Sequence, residues 1–561
     1  MRAREISPDV KSYDEVFETF RWQVPETFNI AADVCDRHAA NPALAERKAL
    51  LYEDKAGHTA TFTFRALKEL SDKLAGVLAA GGLQRGGRAA VLMPQRPETA
   101  LSHLAIYKLG AIAVPLTVLF RRDALLFRLR DSGAHTLLLE AETLPLVEEI
   151  LPELPELKSL IVVSEGSQAE GSRQWVDFWA ALETATGPAP EPVNTRADDP
   201  AMIVYTSGTT GSPKGALHAH RYLIGHLPGF ELSHEFTPQQ GDCFWTPADW
   251  AWVGGLLDVL LAAWHYGVPV VGYKGDGPFD PERALALMEK YGVRNAFLPP
   301  TALKMMAQVP DVGSRYHLNL RTLMSGGEPL GAEMLAWARE NLGVGINEIY
   351  GQTEMNYLVG NCQPLWPAHP GSMGRPYPGH RVAVVDGEGQ PLARGTVGEI
   401  AVLPADDPVC FLGYWNNPEG TREKFAGDWA LTGDLGVQDE EGYLWFRGRK
   451  DDVIISAGHR IGPTEIEEVL MRHPAVALAA AVASPDALRG HVVKAFIRPA
   501  AGFQPSEALA REIQAFVKAN LARHEYPRLV EFLEDFPLTT TGKIRRNALR
   551  QREQEQAGSR T

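Results

Sequence analysis

Apolar positions along this chain recur in two alternating rhythms. Leu67, Leu70, Leu74, Val77 and Leu78 keep the three-and-four spacing of one helix face, and Gly81-Gly82 supplies the stop. Residues 89–93 form a short apolar run closed by Pro94 and read as a buried strand; a helical stretch over 98–109 and another apolar run over 112–116 follow. The pair returns as a helix over 124–131 and a strand over 136–139, and an earlier helix is expected over 30–38. Strand and helix alternating at this spacing predict an α/β fold, parallel sheet covered by helices.

Residues 165–200, rich in Ser, Gly, Pro and acidic side chains, read as a surface connection. Further on, Phe297-Leu298-Pro299-Pro300, Leu323-Met324-Ser325-Gly326-Gly327 and Glu348-Ile349-Tyr350-Gly351 each set apolar sequence before a turn. Turns at the carboxyl ends of strands are where open α/β sheets bind ligands. From 374 to 446 the pattern shifts to short β segments (382–385, 399–403, 443–446) between Gly-, Pro- and Asp-rich turns, which predicts a β subdomain. A charged stretch, Gly448-Arg449-Lys450-Asp451-Asp452, precedes a compact α+β unit. That unit opens with a T-x-x-E capping box, Thr464 to Glu467, over the helical set Ile466, Val469 and Leu470. Strands over 475–482, 492–497 and 529–533 and a helix carrying Leu509, Ile513, Phe516 and Val517 complete it. The expected organisation is a large N-terminal domain over 1–448, a boundary at 449–452, and a small C-terminal domain over 453–561.

Composition narrows the classes. With 561 residues, 45% hydrophobic and 22% charged, the chain has ordinary globular make-up and several domain-sized units. A net charge of −15 argues against nucleic-acid binding, which needs a basic surface. Cys35, Cys243, Cys362 and Cys410 lie far apart with no CxxC pair, and read as buried thiols in a reducing compartment. The N-terminus has no apolar core of a signal peptide, and the most apolar segment, 256–271, is broken by Asp258, His265 and Pro269. These features predict a cytoplasmic protein without membrane insertion.

Candidate chemistry concentrates first in Thr206-Ser207-Gly208-Thr209-Thr210-Gly211-Ser212-Pro213-Lys214-Gly215, after the apolar run 202–205. Glycines let backbone N–H groups approach an anion, hydroxyls add donors and the ammonium adds a point charge, so the loop reads as a phosphate cradle. It is not a Walker A loop, because Gly215 rather than Ser or Thr follows Lys214. Five further stretches follow in order: Ser325-Gly326-Gly327-Glu328-Pro329; Tyr350-Gly351-Gln352-Thr353-Glu354; Leu431-Thr432-Gly433-Asp434; 448–452 continuing to Ala457-Gly458-His459-Arg460-Ile461-Gly462-Pro463-Thr464-Glu465-Ile466-Glu467; and Thr539-Thr540-Thr541-Gly542-Lys543-Ile544.

All six in this order resemble the adenylate-forming superfamily of acyl-CoA synthetases, nonribosomal adenylation domains and luciferases, from about residue 25 to about 550. Within it the sequence is most similar to acetyl-CoA and medium-chain acyl-CoA synthetases. The resemblance implies an ATP-dependent, AMP-forming acid:CoA ligase with Mg²⁺, using ATP, CoA and a carboxylic acid. It implies that residues 206–214 hold the β- and γ-phosphates, that Gly327, Glu328 and Pro329 wall the adenine slot with Glu348, and that Tyr350 stacks on the base beside Gly351 and Gln352. Thr353 would contact the α-phosphate and the carboxylate, Glu354 would ligate Mg²⁺, Asp434 and Arg449 would hold the ribose, and Arg460 would reach the adenylate phosphate or the CoA region. Lys543 would be the catalytic lysine that neutralises charge as the acyl-adenylate forms, carried on a mobile domain with its hinge at Asp451. Ala457, Gly458 and His459 would line the channel for CoA.

Acetyl-CoA synthetases carry Trp where Gly351 stands here. With Gly254 following Trp252-Val253 on another pocket wall, the acyl pocket is expected to exceed acetate and to take short-to-medium or branched acids, aryl acids second. Trp245, Trp250, Trp252 and Tyr357 either line the tunnel or pack the core. Two other readings stay open: an aryl- or amino-acid ligase loading a carrier-protein thiol, and a nucleotide-binding homologue without chemistry. The resemblance also implies a regulator that acylates Lys543, and it leaves a homodimer open.

Overall fold

The computed structural model describes residues 5–164, 175–185, 190–206, 213–275, 277–328, 330–405, 407–456, 459–486, 490–521, 526–539 and 543–558. They form two compact units, the larger from the chain up to 206, Pro213–Val382 and Leu403–Asp428, the smaller from Ala383–Val402 and from Trp429 onward.

The larger unit contains two sheets. One runs, edge to edge, Gly413–Tyr414, Lys214–Ala219, Pro200–Thr206, Ile112–Leu116, Arg88–Leu92, Thr136–Glu140, Ser159–Val163 and Val176–Asp177. From Pro200–Thr206 onward the neighbours are parallel, whereas the first two strands join antiparallel. Its inner strands Ile112–Leu116 and Thr136–Glu140 are buried along their whole length, which is why apolar residues dominate both, with only Thr136 and Glu140 polar at the ends of the second. The second sheet runs Ser372–Pro376, Met355–Gly360, Ile346–Gln352, Thr322–Gly326, Asn295–Phe297, Phe244–Trp245, Val270–Lys274, Lys48–Asp54 and Thr59–Thr63.

Helix Phe64–Ala80 buries Leu67, Leu74 and Leu78, is capped by the Thr63 hydroxyl accepting from Ala66 N–H, and stops at Gly81. The helix expected over 98–109 is Pro97–Lys108, buried on every face. Its Lys108 is neutralised by Asp36 at 2.8 Å and by Asp72. The helix expected over 124–131 lies within Arg122–Ser132 and ends on Gly133 at φ 58°. The early helix over 30–38 forms, with a π turn at Ala32–Asp36. Among the described residues, no helix is long and apolar enough to cross a membrane.

In the smaller unit, strands Gly398–Leu403, Trp429–Gln438 and Leu444–Arg449 follow one another in one sheet. Val476–Asp486, Gly490–Pro499 and Leu529–Phe532 make a second sheet, covered by Pro463–Met471 and Glu507–Asn520 around a core of Ile466, Val469, Ile497, Ile513 and Val517. The capping box is not formed: the N-cap is Gly462, without a side-chain cap bond. Glu467 instead accepts from Ala481 N–H at 2.8 Å and pairs with Arg546. Two long-range partners outcompete the local bond.

Candidate active site

Thr206 and Lys214 face each other across the first pair of an antiparallel hairpin, and this register brings the ends of the predicted phosphate loop together. Ser207, Gly208, Thr209, Thr210 and Gly211 lie outside the described residues, as do Pro329, Ala457 and Gly458. A tight third strand, Gly413–Tyr414, pairs with Lys214–Ala219, and Trp415 N–H donates to the Gly215 carbonyl at 2.7 Å. That pairing sets the Tyr414 ring under the Lys214 ammonium, 5.1 Å from its centroid.

The same tyrosine reaches the second motif. Its hydroxyl donates to Glu354 Oε1, and Phe411 N–H donates to the Glu354 carbonyl at 2.9 Å. Glu354 sits with Thr353 in the turn between strands Ile346–Gln352 and Met355–Gly360. The Thr353 carbonyl accepts from the Tyr222 hydroxyl at 2.7 Å, and Gln352 Oε1 accepts from Lys424 Nζ at 2.5 Å. Lys214, Thr353 and Glu354 are thus gathered around one anchored turn. Tyr414, Tyr222 and Lys424 do the anchoring, and none belongs to a motif; only a strand pairing distant in sequence brings Tyr414 in.

Tyr350 is half-buried on the strand that ends in this turn, so it is not a core tyrosine. Two residues earlier, Glu348 is buried; Oε1 accepts from Leu330 N–H at 3.2 Å, while Oε2 has no hydrogen-bond partner among the described residues. Burial pushes this carboxyl up to about 8, so it carries a proton at neutral pH. Gly327 has φ 95°, a conformation that suits glycine, and beside it Glu328 is half-buried.

Trp252 is half-buried and packs edge-on against Phe120; Val253 is buried. Trp245, Trp250 and Tyr357 are core residues. Tyr357 has φ 62° and shares a hydrogen bond of 3.1 Å with Ser233. Gly351 and Gly254 do not open onto empty space on their Cβ sides. A Cβ at 351 would stand 2.8 Å from Asn356 Oδ1 and from Tyr357 N, and one at 254 would stand 2.8 Å from the Phe297 ring.

In the smaller unit Asp434 and Arg449 are directly opposed across an antiparallel pair, with Arg449 Nε 3.3 Å from Asp434 Oδ1 and 3.4 Å from Asp451 Oδ1. Gly433, at φ 78°, donates its N–H to Glu399 Oε1 at 3.0 Å, and Lys450 takes Glu399 Oε2 at 2.8 Å. The Asp451 carbonyl accepts from Arg550 at 2.7 Å. His459 and Arg460 lie on the short strand His459–Ile461. Lys543 is exposed; its carbonyl accepts from Thr539 N–H at 2.7 Å and its N–H donates to Thr539 Oγ1 at 3.0 Å.

A recess of about 320 Å³ lined by Arg85, Arg88, His135 and neighbouring glycines lies at the amino ends of the parallel strands. Its guanidinium groups are engaged, Arg88 by the Ser132 and Gly133 carbonyls and Arg85 by Asp199.

Magnesium suits the Glu354 turn. Among the described residues no three His, Cys, Asp or Glu side chains gather as a cage. A single oriented carboxylate completed by phosphates and water is the usual Mg²⁺ arrangement.

The family model of the AMP-binding enzyme matches residues 35–415, and that of the AMP-binding enzyme C-terminal domain matches 465–543. The chain is 38% identical over 540 residues to the human acyl-coenzyme A synthetase ACSM4, mitochondrial, covering 94% of this chain and 91% of that protein. It is 35% identical to the acetyl-coenzyme A synthetase of Bacillus subtilis (strain 168), covering 98% and 96%. Among solved structures it is similar to an anthranilate CoA ligase in complex with anthranoyl-AMP, with a TM-score of 0.84, 29% identity, and coverage of 95% of this chain and 99% of that one.

Proposed function

This chain belongs to the AMP-binding enzymes and is an AMP-forming acid:CoA ligase, and from that premise we propose that it activates short-to-medium or branched carboxylic acids. In the first half-reaction a carboxylate oxygen attacks the α-phosphorus of ATP and pyrophosphate leaves. In the second, the CoA sulfur attacks the acyl carbonyl, AMP leaves and the thioester forms.

Two anions meet in the first step, so cationic and N–H stabilisation must be in place beforehand. The observation that carries the assignment of roles is the Lys214–Tyr414–Glu354 constellation, cation and carboxylate held by one ring. Lys214, with Thr206 and the loop 207–211, holds the departing phosphates. Thr353 positions the α-phosphate and the substrate carboxylate. Glu354 holds Mg²⁺, which when bound neutralises phosphate charge. Tyr350 stacks on adenine within the slot of Gly327, Glu328, Pro329 and Glu348. Asp434 and Arg449 take the ribose.

Lys543 supplies the mobile positive charge of adenylation, suited to a compact ammonium on a long stem. Asp451 is the hinge, Ala457, Gly458 and His459 serve the CoA step, and Arg460 reaches the adenylate phosphate or the CoA region. Acylation of Lys543 would remove the charge and silence adenylation; an acylated enzyme with full activity excludes that control. A cytoplasmic location accompanies this reading, supported by four buried free thiols, and fractionation of the source cells tests it. Pyrophosphate release with a panel of acids, with and without CoA, tests the whole. CoA-dependent turnover is expected, and adenylate accumulating without thioester would overturn it.

A further inference from the structure

Of the two glycines read as acyl-pocket walls, Gly351 faces one member of a buried hydrogen-bonded pair, and Gly254 lies near the other. Gly351 stands against Asn356 Oδ1, and a Cβ at Gly254, which meets the Phe297 ring first, would lie 3.8 Å from Asp258 Oδ2. Asn356 Nδ2 donates to Asp258 Oδ1 at 2.6 Å and lies 3.3 Å from His226 Nε2. His226 Nδ1 is 2.7 Å from the Tyr222 carbonyl, which can only accept, so the ring proton is on Nδ1 and Nε2 is the acceptor. Both Asn356 hydrogens are therefore spent on Asp258 and His226. Asn356 Oδ1 is directed at Gly351 and Asp258 Oδ2 lies on the Gly254 side.

The backbone around the pair is irregular. Asp258 lies on a π turn, Leu256–Leu261, and Tyr357, next to Asn356, holds a left-handed φ inside a strand. Such distortions are frequent at functional sites. The polar groups are also neutral: burial pushes Asp258 up to about 8 and His226 down to about 3. The pair can thus offer both an acid O–H and a carbonyl oxygen without presenting net charge.

We infer that Asp258 and Asn356 form a polar contact in the wall of the acyl pocket, and that the acid this enzyme prefers carries a hydrogen-bonding substituent, a hydroxyl, amino or carbonyl group, in place of pure hydrocarbon. The inference rests on reading Gly254 and Gly351 as acyl-pocket walls of an acid:CoA ligase. A site built to hydrogen-bond a substituent strongly disfavours the analogue lacking it, because its own polar groups are left unpaired.

The experiment is kcat/KM for pyrophosphate release with matched acids differing only in hydroxyl or amino against methyl, in straight-chain, branched and benzoate series. The wild type is expected to prefer the polar member of at least one series by about 10-fold or more. Asp258→Leu is expected to reverse that preference, with Asp258→Asn retaining most of it. Preference for the hydrocarbon member in every series overturns the inference and leaves the ligase reading standing, as does a ratio unmoved by Asp258→Leu. If Asp258→Leu does not fold, the wild-type ratios decide alone. Pyrophosphate release with no acid in any series counts against the ligase reading and takes this inference with it.

Discussion

The Tyr414 hydroxyl donates to Glu354 Oε1 from a strand that pairs with the far side of the Lys214 hairpin. The carboxylate proposed for Mg²⁺ is therefore oriented by a residue whose ring also lies under the proposed phosphate lysine. Supporting hydrogen bonds of this kind commonly set metal affinity by 10- to 100-fold. Tyr414→Phe should raise the Mg²⁺ concentration for half-maximal pyrophosphate release by about 10-fold, while shifting the melting temperature little. An unchanged Mg²⁺ curve would remove Tyr414 from the site.

Lys543 divides the two half-reactions. Lys543→Ala should abolish acid-dependent pyrophosphate release yet leave thioester formation from supplied acyl-adenylate near the wild-type rate. Equal losses in both assays would show that the lysine serves binding or folding instead. Because Lys543 is exposed, the variant is expected to melt as the wild type does.

Gly351 is required by its own hairpin. Any side chain there meets Asn356 and the Tyr357 backbone at 2.8 Å, and Gly351→Ala should cost about 1–3 kcal/mol. Gly351→Trp must displace Asn356 before it can trim the pocket toward acetate. Denaturant unfolding measures the cost. A Trp variant as stable as wild type, with an unchanged chain-length profile, would show that the hairpin yields freely and that the position is not a pocket wall.

Glu348 links stability to pH. Its ordinary value is 4.5, and burial holds it near 8 when folded. Between those values the native state keeps a proton that the unfolded chain has released, so the stability this group contributes is full below 4.5 and falls as pH rises toward 8. The slope is about 1.4 kcal/mol per pH unit for one such proton. Glu348→Gln, which imitates the protonated carboxyl and keeps the acceptor for Leu330 N–H, should gain on the wild type in melting temperature from pH 5 to pH 8. A gap that does not change with pH would mean that Glu348 ionises normally.

Local signals carried the elements whose partners are local or generic. The Leu67–Leu74–Leu78 stripe and Gly81 mark a helix because an apolar face needs only some core to face. The apolar runs at 112–116 and 137–139 mark inner strands for the same reason. Thr464 and Glu467 misled because Arg546 and Ala481 N–H offered Glu467 better bonds from afar. Tyr414 and the Asp258–Asn356 pair were invisible for a related cause: each matters only through a partner distant in the chain, and neither sits in a repeated pattern. Trp245, Trp250 and Tyr357 could not be sorted between tunnel and core by residue type, and burial decides for the core.

The meeting of Gly254, Gly351, Asp258 and Asn356 has an evolutionary corollary. A bulky residue at Gly351 is obstructed while Asn356 stands, one at Gly254 meets the Phe297 ring, and Asp258 or Asn356 is left without its partner if only one of the two changes. Each single step toward a different acyl range is thus penalised, and a combined change at 351, 356 and 258 removes the obstruction at 351 and the unpaired partner together. Descendants of this enzyme should acquire new chain-length preferences through linked replacements at these four positions, and laboratory libraries that vary them together should find functional pockets that one-at-a-time scanning misses.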